Sequence, residues 1–476
     1  MHERALAGAI EFLDSWLAFR ARNTDSCGFK VAIHYESDIV LARSFGHADI
    51  ALPEPLGQHH VMGVGSQSKM LASTVVCQLV ERDRLHFDDR VCRYLPWLAR
   101  HPDPRARDIT VRHLLAHSSG LARNGADADC WNFAKPFPDA GMVQEVVFDT
   151  DIVVGTNTRL KYSNVGFGIL GALIEAVTGK PYADVVTAEV IERVGMSSTS
   201  ADFGPGVATR LAPSYTPRIE GNRRALPPPE STGALVAATG LWSTPEDMCR
   251  FASAHYAGCD ALLSDTLKRE AHRGQWVITS GQDRGVEMGL GFHAIFVDGR
   301  RYVGHGGSIG GYRSETLFDP DARLAVSIMA NWADAPSMAM IRGVLQVLHY
   351  FEEHGADPVP AGRRRFNARL RNAVATVEIV ATNDRAVAID PDRWEPFTVT
   401  EQLTVVDPET LRVSTVGSHF NEGESFRYAF DGPTLRSVKF AGFTMLPERD
   451  FVRTVKLTGR AGSSHRPVDE PAHAGR

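Results

Sequence analysis

The sequence predicts an α/β fold in which helices pack against one composite sheet, followed by a small all-β domain. Runs rich in Val, Ile and aromatic residues lie at residues 29–45 and return at residues 286–330. Apolar residues with helical spacing occupy most of the segment between these runs. Beyond residue 362, short β-type runs alternate with turns up to residue 452. Strands at both ends of the first part, with helices between them, favour a single sheet that brings those ends together.

The helices are predicted from apolar spacing and from capping residues. They cover the N-terminal segment with Leu6, Ile10, Leu13 and Leu17 on one face, the segment from Ser66, residues 162–177, the segment that begins at Thr244, and residues 338–351. Gly179 and Pro181 end the third of these helices, and Pro245 follows an N-cap threonine in the fourth. The strands are expected at residues 29–35, 39–45, 286–296, 301–304, 315–319 and 324–330.

Changes in composition divide the chain into domains. We expect a first domain over residues 1–355 and a Pro/Gly-rich linker over residues 356–362. A small β-barrel or sandwich should follow over residues 363–459. The polar segment 460–476 has the composition of a disordered tail.

Composition excludes several classes of function. The chain has 476 residues and a net charge of 51 − 57 = −6, so no global basic field would attract nucleic acid or an anionic membrane. No stretch is apolar enough to span a bilayer, and acidic residues near the start interrupt any signal peptide. Six cysteines lie scattered without paired spacing, which favours a reducing compartment. We therefore expect a cytoplasmic protein.

The first candidate motif is Ser66-Gln67-Ser68-Lys69, at the start of a predicted helix. Residues i and i+3 share a helical face, so the Lys69 amine can reach the Ser66 hydroxyl. A serine becomes a nucleophile when a neighbouring base accepts its proton, and a desolvated lysine can be that base. The alternative is a capping serine beside a solvated lysine.

A second candidate, Lys161-Tyr162-Ser163-Asn164, precedes the next long helix. A tyrosine can relay a proton, and an asparagine offers both a donor and an acceptor to an amide. The alternative is a helix cap preceded by a half-buried aromatic residue.

A third candidate is the glycine-dense segment 304–312, in which His305-Gly306-Gly307-Ser308 stands at the centre. Glycine in a strand lets a ligand approach the backbone, whose free N–H groups can bind an acyl group and an oxyanion. The alternative is a mobile hairpin or a bulge.

In combination, S-x-x-K, Y-x-N and H-x-G in this order resemble the penicillin-recognising serine hydrolases. That family includes class C β-lactamases, DD-peptidases, D-aminopeptidases and β-lactamase-like esterases. The segments 109–121 and 240–248 resemble the family as well, so the resemblance covers roughly residues 5–350. It implies a β-lactamase-like (DD-peptidase) antiparallel sheet flanked by helices, and the appended β domain resembles the D-aminopeptidase branch.

The resemblance also implies roles for the residues at the motif positions. Ser66 would be the nucleophile, Lys69 its general base, and Tyr162 the acid/base that protonates the leaving group and activates water. Asn164 would bind the substrate carbonyl and hold Lys69. The backbone N–H groups of Ser66 and Ser308 would bind the oxyanion. The remaining residues implied to contact the substrate are His305, Gly306 and Gly307.

One departure from the family pattern concerns charge. Class C β-lactamases carry Lys-Thr-Gly where this chain has His305-Gly306-Gly307. A histidine with an unperturbed pKa near 6.5 is mostly neutral at pH 7. Below about pH 6.5 a protonated His305 would begin to favour anionic substrates. This favours uncharged esters or amides, or substrates with a free amine, over β-lactams.

The sequence therefore predicts a serine hydrolase that cleaves an ester, amide or short peptide without a metal or another cofactor. The alternatives are an acyl-binding sensor and an interaction protein on the same fold; the oligomeric state stays open. His113 and His117 resemble a metal pair but lack a third ligand, so we expect them to be structural. His59 and His60 should form a loop pair with opposed side chains.

Overall fold

The computed structural model describes residues 1–52, 54–281 and 283–454. The chain divides into two compact units, Met1–Glu353 and a second unit that begins at His354. The expected disordered tail at residues 460–476 lies outside the described residues. Within the described ranges, no helix combines the length and the apolar character that crossing a bilayer would require.

The first unit is built on a large antiparallel sheet. Its strands are β1 Gly28–Tyr35, β2 Asp38–Asp49, β3 Glu54–Pro55, β4 Met62–Gly63, β5 Trp242–Ser243, β6 Trp276–Val277, β7 Glu287–Met288, β8 His293–Val297, β9 Arg300–Ile309, β10 Tyr312–Asp319 and β11 Leu324–Ala330. The order in the large sheet is β3-β2-β1-β11-β10-β9-β8-β7-β6, and β4 pairs with β5 separately. β1 and β11 meet with Phe29 opposite Ala330, so the two ends of the unit join inside one sheet, as predicted.

Helices cover this sheet. They are α1 Glu3–Asn23, α2 Ser68–Glu81, α3 Val111–Leu115, α4 Val143–Phe148, α5 Asn164–Thr178, α6 Tyr182–Val186, α7 Pro205–Ala208, α8 Val236–Thr239, α9 Pro245–Ser253, α10 Asp265–His272 and α11 Ser337–His354. α9 packs on β1, β10 and β11, and α2 packs against α5 and α8. Nearly every residue of α2 is buried, because this apolar helix lies inside the unit rather than on its surface.

Two predicted elements differ from the structure. The expected strand 286–296 is broken into β7 and β8, because Gly291 turns the chain at a φ of +73°. In α1 the buried face contains Ala5, Ala9 and Leu13, while Leu6 and Ile10 are only half-buried. Small residues on that face let the helix lie close to its neighbours.

The second unit contains a closed antiparallel barrel. Its strands are β12 Ala368–Arg371, β13 Thr376–Ala381, β14 Ala386–Ile389, β15 Glu401–Asp407, β16 Thr410–Val413, β17 Ser425–Asp431, β18 Thr434–Phe440 and β19 Phe443–Pro447. β12 pairs with β19 and closes the barrel, which is flanked by α12 Ala361–Arg364 and α13 Glu448–Thr454. An all-β structure with a barrel confirms the fold class predicted for this part of the chain.

Candidate active site

Ser66 lies in a tight turn that leads into α2. The 3₁₀ turn Gly65–Gln67 is closed by the Ser68 hydroxyl, which donates to the carbonyl of Gly65 at 2.7 Å. Gly65 has a φ of +56°, and a Cβ at this position would lie 2.6 Å from the backbone nitrogen of Ser308. Glycine therefore satisfies both the backbone conformation and the close approach of β9. The turn holds Ser66 beside the strand that carries Ser308.

Lys69 lies one helical turn after Ser66 and faces it. Its Nζ is 3.1 Å from Oγ of Ser66 and donates to the carbonyl of Ala238 at 2.8 Å. The side chain is fully buried. Burial lowers the pKa of Lys69 well below its usual value, and the nearby Arg123 guanidinium lowers it further. This shift favours the neutral amine, whose free electron pair can accept the proton of the Ser66 hydroxyl.

Tyr162 lies just before α5 and also reaches Ser66. Its hydroxyl donates to Oγ of Ser66 at 2.9 Å. Burial raises the pKa of Tyr162 to about 12, although the hydrogen bond to Ser66 and the charge of Arg123 oppose the shift. The phenol consequently keeps its proton at neutral pH and acts as a donor in the free protein.

His117 supports Tyr162. The two rings stack with centroids 4.1 Å apart, and Nδ1 of His117 accepts the backbone N–H of Ser163 at 3.2 Å. Burial lowers the pKa of His117 well below 6.5, and the charge of Lys69 acts in the same direction. His113 instead caps α3, where its Nδ1 accepts the N–H of Thr110 at 3.2 Å. The two histidines thus bind different backbone groups through Nδ1.

Asn164 is the first residue of α5, and Ser163 caps that helix. Nδ2 of Asn164 donates to Oδ1 of Asn124 at 2.7 Å, while its buried Oδ1 has no partner among the described residues. The expected hydrogen bond between Asn164 and Lys69 is not formed in the described part of the chain. The backbone N–H of Asn164 binds the carbonyl of Arg123, which directs its amide towards Asn124.

β9 supplies the backbone beside Ser66. Gly310 and Gly311 turn the chain into β10 at φ angles of +49° and +83°, and Ile309 is opposite Tyr312 across this turn. In a two-residue hairpin the flanking pair is hydrogen-bonded and the next pair is not. The N–H of Ser308 therefore points away from β10. β8 pairs with β9 only as far as Gly304, so this edge of β9 is open to a ligand in the described sheet.

Gly306 and Gly307 lie on opposite faces of β9. A Cβ on Gly307 would lie 1.8 Å from the carbonyl oxygen of Val64, so this glycine lets the strand touch the turn before Ser66. A Cβ on Gly306 would meet the carboxyl group of Glu315 at 2.7 Å. Burial raises the pKa of Glu315 to about 8, and the nearby Asp283 adds to the shift.

His305 is 2% exposed, which the sequence did not indicate. Its ring lies 3.7 Å from the ring of His293, and its Nδ1 is 2.5 Å from the carbonyl oxygen of Gly306. Burial lowers the pKa of His305 well below 6.5, and the charges of His293 and Lys69 lower it further. The expectation of an unperturbed pKa near 6.5 is therefore corrected, because the buried ring of His305 favours its neutral form.

His59 and His60 also differ from the expectation of opposed side chains. Their rings lie 4.0 Å apart, and with Glu54 they form a group whose ligand atoms lie within 4.8 Å of one another. Nδ1 of His60 accepts the N–H of Gly57 at 2.9 Å, which places the proton of the neutral ring on Nε2. Nε2 faces Glu54, so this group does not fit a metal ion as it stands.

The sequence motifs did not reveal Arg123, Asn124, Ala238 or His293. Arg123 and Asn124 lie in one loop, Ala238 in α8 and His293 in β8, and none belongs to a short motif with the residue that it contacts. The stretch Leu121-Ala122-Arg123-Asn124 follows a segment that resembles the family, which is the one signal that could have directed attention to it.

Comparisons with known proteins agree with this architecture. The sequence pattern of the beta-lactamase family matches residues 18–349. "Penicillin-binding protein 4*" of Bacillus subtilis is 25% identical over 323 residues, which is 62% of this chain and 66% of that protein. "Esterase EstB" of Burkholderia gladioli is 26% identical over 353 residues, 66% of this chain and 88% of that protein. The chain spans as little as 48% of the length of other curated relatives.

A solved structure resembles the chain over most of its length. The octameric penicillin-binding protein homologue from Pyrococcus abyssi covers 92% of this chain and 99% of its own, with a TM-score of 0.64 and 20% identity. The chain belongs to the beta-lactamase family. The resemblance inferred from the three motifs is thereby confirmed, as is the prediction of a β-lactamase-like fold in a family of serine hydrolases.

Proposed function

We propose that the chain is a serine hydrolase that cleaves an ester, amide or peptide bond through an acyl-enzyme on Ser66. The observation that carries this proposal is the position of Oγ of Ser66, 3.1 Å from Nζ of Lys69 and 2.9 Å from the hydroxyl of Tyr162. A nucleophile that contacts both an amine base and a protonated phenol has the parts that acyl transfer requires.

Acylation begins when Oγ of Ser66 attacks the carbonyl carbon and its proton passes to the neutral amine of Lys69. The carbonyl oxygen becomes an oxyanion, which the backbone N–H groups of Ser66 and Ser308 stabilise. The bond to the leaving group then breaks, and the leaving group takes the proton of Tyr162. Lys69 returns its proton to Tyr162, which leaves both groups ready for the next step.

Deacylation reverses these roles with water as the nucleophile. Water attacks the acyl carbon and gives its proton to Lys69, which passes that proton to Oγ of Ser66 as the acyl bond breaks, so the serine hydroxyl and the neutral amine are both restored. Asn164 lies two residues after Tyr162, and its unpartnered Oδ1 is suited to accept an N–H from an amide substrate. The carboxylic acid is released.

The charge of the site favours uncharged substrates. A neutral, buried His305 occupies the position where class C β-lactamases carry a cationic lysine. A β-lactam carboxylate would therefore lack its charged partner, whereas a neutral ester or amide needs none. The relatives include a protein named an esterase and a protein named a penicillin-binding protein, so both ester and amide chemistry merit testing.

The test is a panel of p-nitrophenyl esters, D- and L-aminoacyl amides, D-Ala-D-Ala peptides and a chromogenic cephalosporin. We expect steady turnover of esters or amides by the wild type and a loss of several orders of magnitude in Ser66→Ala. Ser37→Ala, which alters an exposed serine, is the matched control. A burst of one equivalent without turnover would indicate the acyl-binding sensor instead, and equal turnover by Ser66→Ala would refute the assignment.

A further inference from the structure

Arg123 places a positive charge beside the two groups that would exchange protons with Ser66. Its guanidinium carbon lies 5.5 Å from the centre of the Tyr162 ring, and Nζ of Lys69 lies 5.0 Å from the same centre. The guanidinium and the amine can therefore be no further apart than these two distances together. A charge at this range acts through space on both the amine and the phenol.

Backbone hydrogen bonds hold Arg123 in this position. Its carbonyl accepts the N–H of Asn164 at 2.7 Å, and the next residue, Asn124, accepts the side-chain amide of Asn164. These bonds attach the loop to the first turn of α5, which begins two residues after Tyr162. The side chain of Arg123 is exposed, and no carboxylate pairs with it among the described residues. No ion pair in this part of the chain therefore neutralises its charge.

The other titratable side chains around the base and the phenol are histidines. The ring of His117 stacks on Tyr162, and burial lowers the pKa of His117 well below 6.5. Burial likewise lowers the pKa of His293 to about 3 and that of His305 well below 6.5. Each of these rings therefore favours its neutral form. Arg123 keeps its charge, because arginine is not deprotonated in proteins.

A fixed positive charge here has consequences for both proton transfers. Beyond the larger effect of burial, it lowers the pKa of Lys69, so a larger fraction of the free protein holds the neutral amine that accepts the proton of Ser66. It also opposes the rise that burial causes in the pKa of Tyr162, and so stabilises the phenolate that forms when the leaving group takes the phenolic proton. Arg123 needs to give or take no proton in either step.

We propose that Arg123 is a positioning residue that acts through Lys69 and Tyr162: its charge favours the neutral base before acylation and the phenolate once the leaving group is protonated. This inference rests on the proposed function, because it concerns the proton transfers of the Ser66 acyl-enzyme. It requires that the charge at position 123, and not the shape of the side chain, sets the rate.

The first experiment measures kcat/KM for p-nitrophenyl acetate across the acidic limb of the pH profile in the wild type, Arg123→Gln and Arg123→Lys. In Arg123→Gln the limb should move to higher pH, and kcat/KM on it should fall by about two- to tenfold, as Coulomb's law gives for unit charges about 10 Å apart. Arg123→Lys keeps the charge and should restore the wild-type limb. Raising the salt concentration from about 0.05 M to about 1 M should reduce the difference between the wild type and Arg123→Gln.

The second experiment tests the phenol by changing the leaving group at a pH above the acidic limb. p-Nitrophenol departs readily without a proton, whereas the more basic p-methoxyphenol depends more on the proton of Tyr162. Arg123→Gln should therefore lower the ratio of kcat/KM for p-methoxyphenyl acetate to that for p-nitrophenyl acetate by about two- to tenfold. Arg93→Gln is the matched control, because Arg93 lies 5.6 Å from the ring of Tyr94 and not beside the candidate site. It should leave both the limb and the ratio unchanged.

The inference requires both changes in Arg123→Gln and their reversal in Arg123→Lys. If either the limb or the ratio is the same in Arg123→Gln as in the wild type, while Ser66-dependent turnover is present, the inference is wrong and the proposed function stands. Equal losses in Arg123→Gln and Arg123→Lys would indicate a purely structural side chain and would also overturn it. Absence of any Ser66-dependent turnover would overturn both.

Discussion

One methyl group added at Gly307 should separate the strand that carries Ser308 from the turn that carries Ser66. The new Cβ would lie 1.8 Å from the carbonyl oxygen of Val64, whereas ordinary contacts begin near 3.4 Å. Both sides are backbone, so β9 must recede by more than about 1 Å. A displacement of about 1 Å can cost about a hundredfold in rate, and the loss of one oxyanion donor costs about a hundred- to a thousandfold.

We therefore expect Gly307→Ala to lower kcat/KM for a neutral p-nitrophenyl ester by about a hundred- to a thousandfold. Gly306→Ala is the matched comparison, because its Cβ would meet the movable carboxyl group of Glu315 and not backbone. It should lose less than about tenfold. Circular dichroism and thermal melting of both variants separate a local displacement from unfolding. Equal losses in the two variants, or near-normal turnover by Gly307→Ala, would refute the argument that β9 must touch the turn before Ser66.

Three further outcomes are expected. The pKa of Glu315 is raised to about 8, so the folded protein holds a proton that the unfolded chain releases above pH 4.5. Stability of the wild type relative to Glu315→Gln should therefore fall by about 1.4 kcal/mol per pH unit, or about 3 kcal/mol from pH 5 to pH 7, in urea unfolding; a constant difference would contradict this. Because the pKa of His305 lies well below 6.5, the rate ratio of an anionic β-lactam to a neutral ester should be flat from pH 5 to pH 8, and a step near pH 6.5 would show the ring to be solvated. Activity should survive EDTA, since Nε2 of His60 carries a proton; loss of activity that zinc restores would prove that interpretation wrong.

The parts of the site that the sequence predicts are those defined by local spacing. Ser66 and Lys69 are three residues apart on one helix, so their contact follows from helical geometry alone. The β9–β10 hairpin stood only as the alternative for segment 304–312, and the strands predicted at residues 301–304 and 315–319 are longer in the structure and meet at the turn of Gly310 and Gly311. The joining of β1 and β11 could be inferred because strand-like runs lie at both ends of the first unit.

Contacts between distant segments could not be inferred in this way. Asn164 donates its side-chain N–H to Asn124, and Lys69 donates to the carbonyl of Ala238. These bonds replace the contact that we expected between Asn164 and Lys69. His305 is buried against the ring of His293, and the strand that carries His293 begins after the turn at Gly291, which divides a predicted strand. Burial lowers the pKa of Lys69 and of His305, so these shifts could be inferred only from the folded structure.

The most direct test of a Ser66 acyl-enzyme is mass spectrometry of the protein after rapid quenching with a slowly hydrolysed ester or a fluorophosphonate probe. The account predicts an adduct of one equivalent that maps to the peptide with Ser66, disappears in Ser66→Ala, and forms much more slowly in Lys69→Met, which removes the base. The rate of adduct formation in Lys69→Met tests the role of the base directly, because Nζ of Lys69 lies 3.1 Å from Oγ of Ser66. An adduct on another residue, or labelling of Ser66→Ala at the wild-type rate, would contradict the account.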